Sequence, residues 1–318
     1  LPRIINRLKS RPNKSPWTKY AVTTILSVVL VICLGGWIKW NKENSDFKSC
    51  RTQADYELFA QKTYFFRFEC EDILCSFKEL TISKIPINDA INTSRKDSIL
   101  VNWNKNCSMQ QLRTLRDLIN NMMHVEKGTF IMGTANPVGL EDVEHMVSIE
   151  HDYYIGKFEV TEYEWNVIMK DSIITNTKLP ITMISWNDCQ QFIRKLQTMT
   201  GLLFTLPTES QWEYAAKKNG DIDWTYAGSN TAADVANYKE TSSNGTIEEI
   251  GSKHPNGLEL YDISGNVSEW CSNGDEKRKR IRGGSFMSTI EEIAVSYSDA
   301  ASVGTKSQTI GLRLLLNP

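Results

Sequence analysis

The sequence predicts an α+β chain in which one membrane-crossing helix and a small module precede a larger domain with little regular secondary structure. Three observations carry this. Residues 21–38, AVTTILSVVLVICLGGWI, contain no charged residue. Residues 41–121 mix polar stretches with one short aromatic alternation. From Met122 onward the apolar pattern breaks into short pieces, punctuated by glycine and rich in tryptophan. At 318 residues the chain can bury a sizeable core, and 41% hydrophobic with 23% charged residues is ordinary for a globular protein. A net charge of -2 supplies no basic field, so no nucleic-acid partner is expected. The cluster Lys277, Arg278, Lys279, Arg280 and Arg282 is the exception, and it reads as a solvated loop before a strand.

The uncharged run is close to the roughly 20 residues a helix needs to cross a hydrocarbon core, and Trp17, Trp37 and Trp40 can anchor it at the interfaces. A buried soluble helix would show a polar face, which this run lacks. Before it stand Arg3, Arg7, Lys9, Arg11, Lys14 and Lys19 with no acidic residue, whereas Lys39, Lys42 and Lys48 after it are mixed with Glu43 and Asp46. The positive flank places the N-terminus in the cytoplasm and the rest in the periplasm or outside the cell. No small-residue cleavage site follows the run, and Ile32 before Cys33 disfavours lipoprotein processing. The expected layout is a basic cytoplasmic segment (1–20), a transmembrane helix (21–40), a membrane-proximal module or stalk (41–121) and the main domain (122–318). A further cytoplasmic domain upstream of Leu1 is left open.

Export fits the cysteines. Cys50, Cys70, Cys75 and Cys107 are expected to form disulfides of undetermined pairing, while Cys189 and Cys271 either pair or remain buried thiols. Within the module, Tyr64 to Cys70 alternates like a strand, and 73–82 offers another. Ser108 and Gln111 make a capping box for a helix with apolar Leu112, Leu115, Leu118 and Ile119. In the main domain, Thr129 to Met132 reads as a strand ending at a glycine turn, and 147–160 as two strands entering a helix at Thr161 and Glu162. A second helix starts at Trp186, capped by Asn187 or Asp188, and Thr208 with Gln211 caps a third that carries Trp212 and Tyr214. Beyond that point regular structure is expected to be sparse.

Five motifs follow in order: Gly128 to Gly133; Leu206, Pro207, Thr208 and Glu209 with Trp212, Glu213 and Tyr214; Gly265, Asn266 and Val267 with Glu269 and Trp270; Arg282, Gly283, Gly284 and Ser285; and Ile310, Gly311, Leu312 and Arg313. Together they resemble the formylglycine-generating enzyme, or sulfatase-modifying factor, family. The resemblance implies an elaborated C-type-lectin-like fold. It also implies a reaction, oxidation of a substrate cysteine to formylglycine at a copper ion held by two cysteine thiolates. Here those two positions are Ser288 and Ile293. A hydroxyl is a hard donor that stays protonated and isoleucine offers no donor, so copper is not expected. The resemblance further suggests a structural calcium ion at Asn266, Val267 and Glu269, against the alternative of a hydrogen-bonded loop. Asn237 resembles part of another calcium segment whose acidic residues are not matched, and Arg313 is expected to bond carbonyls or a carboxylate internally.

Related sulfoxide synthases hold iron with a histidine pattern missing here, where only His124, His145, His151 and His254 occur. Ser285 has no base or strand-to-helix elbow, so a serine hydrolase is unsupported. The expectation is therefore a non-catalytic member that binds an unknown protein, peptide or glycan ligand, or serves as an envelope component. The alternatives are a formylglycine-generating oxidase with a non-standard site, and a retroelement-diversified receptor varying over 286–309.

Overall fold

A computed structural model describes residues 107–317, apart from 138–142, 171–176, 221–223 and 243–244, and the isolated positions Lys42 and Ser45. The apolar run at 21–38, the strands expected at 64–70 and 73–82, and Cys50, Cys70 and Cys75 lie outside the described residues. Among the described residues no helix is long and apolar enough to cross a membrane.

Side-chain caps start the helices. In α1 (Met109–Asn120), Gln111 N–H donates to Ser108 Oγ at 3.2 Å and Ser108 N–H donates to Gln111 Oε1 at 3.0 Å. Its Leu112, Leu115, Leu118 and Ile119 are buried, and the helix packs on α2 (Glu162–Lys170). Thr161 and Glu164 make the same reciprocal pair at the start of α2. The third helix, α3 (Trp186–Thr200), is capped by Ser185, with Asp188 as the reciprocal partner, and not by Asn187 or Asp188. Those two residues already lie in the first turn, and only the residue before it can present its oxygen to the free N–H groups. Thr208 and Gln211 cap α4 (Glu209–Ala216) as expected, and α5 (Ala232–Val235) is a single turn.

Three small sheets complete the frame. One has the order β1 (Met122–Val125), β4 (Tyr153–Gly156), β10 (Leu315–Asn317), β5 (Leu203–Thr205), all antiparallel. The second is the pair β2 (Gly128–Met132) and β3 (His145–Ile149). The two strands expected over 147–160 are therefore present as β3 and β4, but they belong to different sheets. The third has the order β8 (Ser298–Ser302), β7 (Arg278–Arg282), β6 (Ser268–Gly274), β9 (Ile310–Gly311), with β6 and β9 parallel. Regular structure after Tyr214 is thus richer than the sequence suggests, and the basic cluster is strand β7 itself. Pairing on both sides satisfies its backbone, and its arginines have partners: Arg278 bonds Ala300 O, and Arg280 and Arg282 reach Glu209. An apolar core forms where α4 meets these sheets, around Trp212, Tyr214, Phe130, Tyr153, Ile263 and Cys271. Burying such aromatic side chains offsets the shortness of the ladders.

Candidate functional site

The stretch after β7 folds back on itself. Gly284 has φ +69, and a Cβ there would sit 2.6 Å from Glu292 O and 2.8 Å from Ile293 Cγ2, so glycine is required. Ile293 is fully buried in an apolar cluster with Tyr226, Ala232, Val235, Ala236 and Tyr238. Ser288 Oγ accepts the Ser285 N–H at 3.0 Å, and its carbonyl accepts the Lys239 N–H at 3.1 Å. The two positions thus carry an apolar plug and a hydroxyl engaged in a local turn. Neither supplies the soft donor a copper(I) ion takes, so these residues do not fit that ion.

The thiols are elsewhere. Cys189, on α3, and Cys271, in the main core, are buried and not joined in a disulfide, which selects the second of the two alternatives. Burial pushes both thiols up, Cys271 against the opposing influence of Arg282, so both stay protonated and inert. Neither belongs to the cluster around Ile293.

Asn266, Val267 and Glu269 meet partners from distant segments of the chain. Gly265, at φ +84, passes so close to the 237 segment that a Cβ would lie 2.4 Å from Asn237 O. Asn266 Nδ2 donates to Glu159 Oε2 at 2.8 Å, while Asn266 Oδ1 accepts from Glu248 N–H at 3.0 Å and Asn237 Nδ2 at 3.3 Å. Val267 N–H donates to Glu159 Oε1 at 3.1 Å. Glu269 Oε1 accepts from Arg313 Nη2 at 2.7 Å and Nε at 2.9 Å, and Glu269 Oε2 accepts from Trp212 Nε1 at 2.7 Å. Arg313 also donates to Gly156 O at 2.9 Å and Tyr261 O at 2.7 Å, so it meets both kinds of acceptor expected of it.

A guanidinium therefore stands where a calcium ion would have to compete for Glu269, and the Asn266 oxygen is taken by two donors. In this arrangement the three residues fit the hydrogen-bonded loop and not an oxygen cage for calcium. Among the described residues no group of three or more His, Cys, Asp or Glu side chains is placed to hold a metal ion.

The electrostatics here are tight. Burial, reinforced by Asp262 and Glu269, pushes the Glu159 carboxyl well up. Burial also pushes Asp262 up to about 6, although the Gly251 N–H bond and Arg313 act the other way. Asn237 Oδ1 and Asp262 Oδ1 are buried without a hydrogen-bond partner among the described residues. A second buried network joins Arg282 to Glu213 and Glu209, with Lys217 3.1 Å from Glu213 and the Arg282 guanidinium 5.4 Å from the Trp212 ring. Both networks fasten loops to the core around Trp212.

The exposed feature near Ser288 is a pair of methionines. Met287 is 54% exposed and Met183 57%, although methionine usually packs inside. Met183 N–H donates to Ser307 O at 2.9 Å and Gln308 Nε2 approaches Met287 Sδ at 3.7 Å, so the same loop touches both. Met183 holds φ +57, an uncommon conformation for a residue with a long side chain. Sequence reasoning missed this pair because a methionine gives no periodic signal that separates a contact surface from a core. All four histidines are exposed, as expected of loop and surface positions.

Comparison with known proteins fits this geometry. The model of the sulfatase-modifying factor enzyme 1-like domain matches residues 109–318. The chain belongs to the sulfatase-modifying factor family. The match begins at the first residue of α1, the helix expected at the end of the membrane-proximal module. The chaperone protein LppX of Paenibacillus barcinonensis is 26% identical over 224 residues, covering 52% of this chain and 80% of that protein. The formylglycine-generating enzyme of Streptomyces coelicolor is 30% identical over 107 residues, and the chain spans only 32% of that enzyme. Among solved structures, Treponema denticola variable protein 1 superposes with a TM-score of 0.55 at 24% identity, covering 62% of this chain and 95% of that one, a likeness of fold.

Proposed function

We propose that this member of the sulfatase-modifying factor family is a membrane-anchored, exported domain that binds a protein or peptide partner and does not oxidise it. The observation that carries the reading is the state of the two copper positions: Ile293 is sealed in an apolar cluster and the Ser288 hydroxyl is held in a turn. What the surface offers is contact. Methionine is flexible and polarizable and adapts to varied partners, and Met183 with Met287 gives the face beside Ser288 that character. The name of the relative LppX, a chaperone, supports a protein partner over a glycan. The basic flank and uncharged run at the N-terminus support the anchor and the export.

A diversified-receptor reading draws on the likeness of fold to a variable protein and on exposed Met287, Thr289 and Glu291 within 286–309. The same stretch also supplies buried Ile293, Ala294 and Val295, so only part of it is free to vary.

The test uses the full chain in detergent with a cysteine-bearing sulfatase peptide, copper and oxygen. No aldehyde is expected, and photocrosslinkers at positions 183 and 287 in intact cells should trap one protein partner. Aldehyde formation at a rate proportional to the chain would overturn the proposal. Crosslinking to glycan alone would redirect the choice of ligand.

A further inference from the structure

A cavity of about 300 Å³ opens beside α1 and α2, lined among others by Thr114, Asp117, Phe158, Tyr163, Glu164 and Lys178. Neither Ser288 nor Ile293 lines it. One wall carries a buried polar group that lacks the partner a folded interior normally supplies, and another carries a half-buried carboxylate with one oxygen uncommitted. Thr114 is only 2% exposed, yet its hydroxyl has no hydrogen-bond partner among the described residues. Buried hydroxyls are normally satisfied, so an unmet one at a cavity wall marks a place where a guest gains a bond.

Glu164 is the second. Its Oε2 accepts both the N–H and the hydroxyl of Thr161, each at 2.8 Å, closing the cap of α2. Its Oε1 makes no such bond among the described residues. Burial raises this carboxyl, and the charge of Asp117 adds to the effect, so a cation beside the two would relieve both. Asp117 commits only Oδ1 to Arg116, at 2.8 Å and 2.9 Å. Phe158 and Tyr163 supply aromatic surface, and the Phe158 ring already accepts one ammonium, that of Lys157, 5.9 Å from its centre. Lys178 is the cation among the lining residues, and it is exposed on a long stem that can swing outward.

We propose that this cleft binds an organic cation of the alkylammonium type, its charge held by Glu164 and Asp117, its N–H groups by the Thr114 hydroxyl, and its stem along Phe158 and Tyr163. A free diamine and the lysine side chain of a peptide present the same chemistry. The experiment separates them.

Isothermal titration of the full chain in detergent is run with cadaverine, with the peptide acetyl-Gly-Lys-Gly-amide, and with uncharged 1-pentanol. Saturable one-to-one binding of an amine, with none of pentanol, is expected. Preference for cadaverine assigns the site to free diamines, and preference for the peptide assigns it to lysine side chains. Glu164→Gln keeps an acceptor for the α2 cap and removes only the charge, so the fold should persist while affinity falls tenfold or more. Thr114→Val should weaken binding several-fold. Asp117→Asn, at an exposed position, repeats the charge test should the Glu164 variant fail to fold. Absence of saturable heat with both amines, or equal affinity in wild type and in the charge variants, overturns the proposal.

Discussion

Replacing Arg313 with methionine removes the guanidinium that faces Glu269, Glu159 and Asp262 while nearly preserving side-chain length. Arg313 and Glu269 are both fully buried and meet at 2.7 Å to 3.1 Å. Burial alone works against the arginine's charge, and its carboxylate neighbours more than restore it, so the pair is interdependent. In the variant Glu269 keeps Trp212 Nε1 but loses its counter-charge, and Gly156 O and Tyr261 O lose donors. Removing one partner of a buried ion pair costs about 3–5 kcal/mol, because the other charge stays behind in a poorly solvated place. Urea unfolding of the full chain, followed by the fluorescence of buried Trp212 and Trp270, reads the loss directly. With a slope of about 2 kcal/mol per molar urea, the midpoint should fall by roughly 2 M. Glu269→Gln should cost less, since Arg313 would still face Glu159 and Asp262. A loss below about 1 kcal/mol for the Arg313 variant, or the reverse ranking of the two, would refute the buried-network reasoning.

Three further outcomes are expected. Asp262, raised from 3.8 to about 6, binds its proton more readily in the folded chain than in the unfolded one. Its contribution is therefore complete below about pH 4 and is lost as pH rises through about 6. Asp262→Asn should flatten stability across that window, and an unchanged slope would contradict it. Gly284→Ala places a Cβ against Glu292 O and Ile293 at φ +69, and should cost about 2 kcal/mol or more in the same unfolding assay; a neutral effect would mean the loop relaxes freely. Protease added to spheroplasts, with the outer envelope opened and the cytoplasmic membrane intact, should cut the chain beyond residue 40, and protection of that part until the cytoplasmic membrane is breached would reverse the proposed orientation.

Most local structure was legible where a side chain acts on its own backbone. The Ser108 and Thr208 caps follow from an oxygen-bearing residue standing three positions before a glutamine. The Ser185 cap was missed because Asn187 and Asp188 compete for the same role in the text of the sequence, and only the helix register decides between them. Strand pairing was the least legible. β3 and β4 are consecutive, yet they join different sheets: β3 pairs with β2 just before it, while β4 pairs with β1 and with β10 near the far end of the chain. The basic cluster is a strand because β6 and β8 pair with it on both sides while Glu209 faces Arg280 and Arg282, which no local pattern reveals.

At the site, the lack of a soft donor at Ser288 and Ile293 is plain from two letters, whereas the calcium expectation met a geometry it did not anticipate. Asn266 and Glu269 have the right chemistry for an ion, but Arg313, 44 residues along the chain from Glu269, supplies the positive charge instead. The methionine rim and the cleft at Glu164 and Thr114 emerge only from exposure and from unmet hydrogen bonds, properties that exist once the chain has folded.

Anaerobic competition of the full chain against a chromophoric copper(I) chelator tests the central claim most directly, with Ser288→Cys and Ile293→Cys combined as the reference. The wild-type chain should leave the chelator's copper in place, while the double variant should withdraw close to one ion per molecule. Stoichiometric, tight copper(I) capture by the wild type would contradict the account.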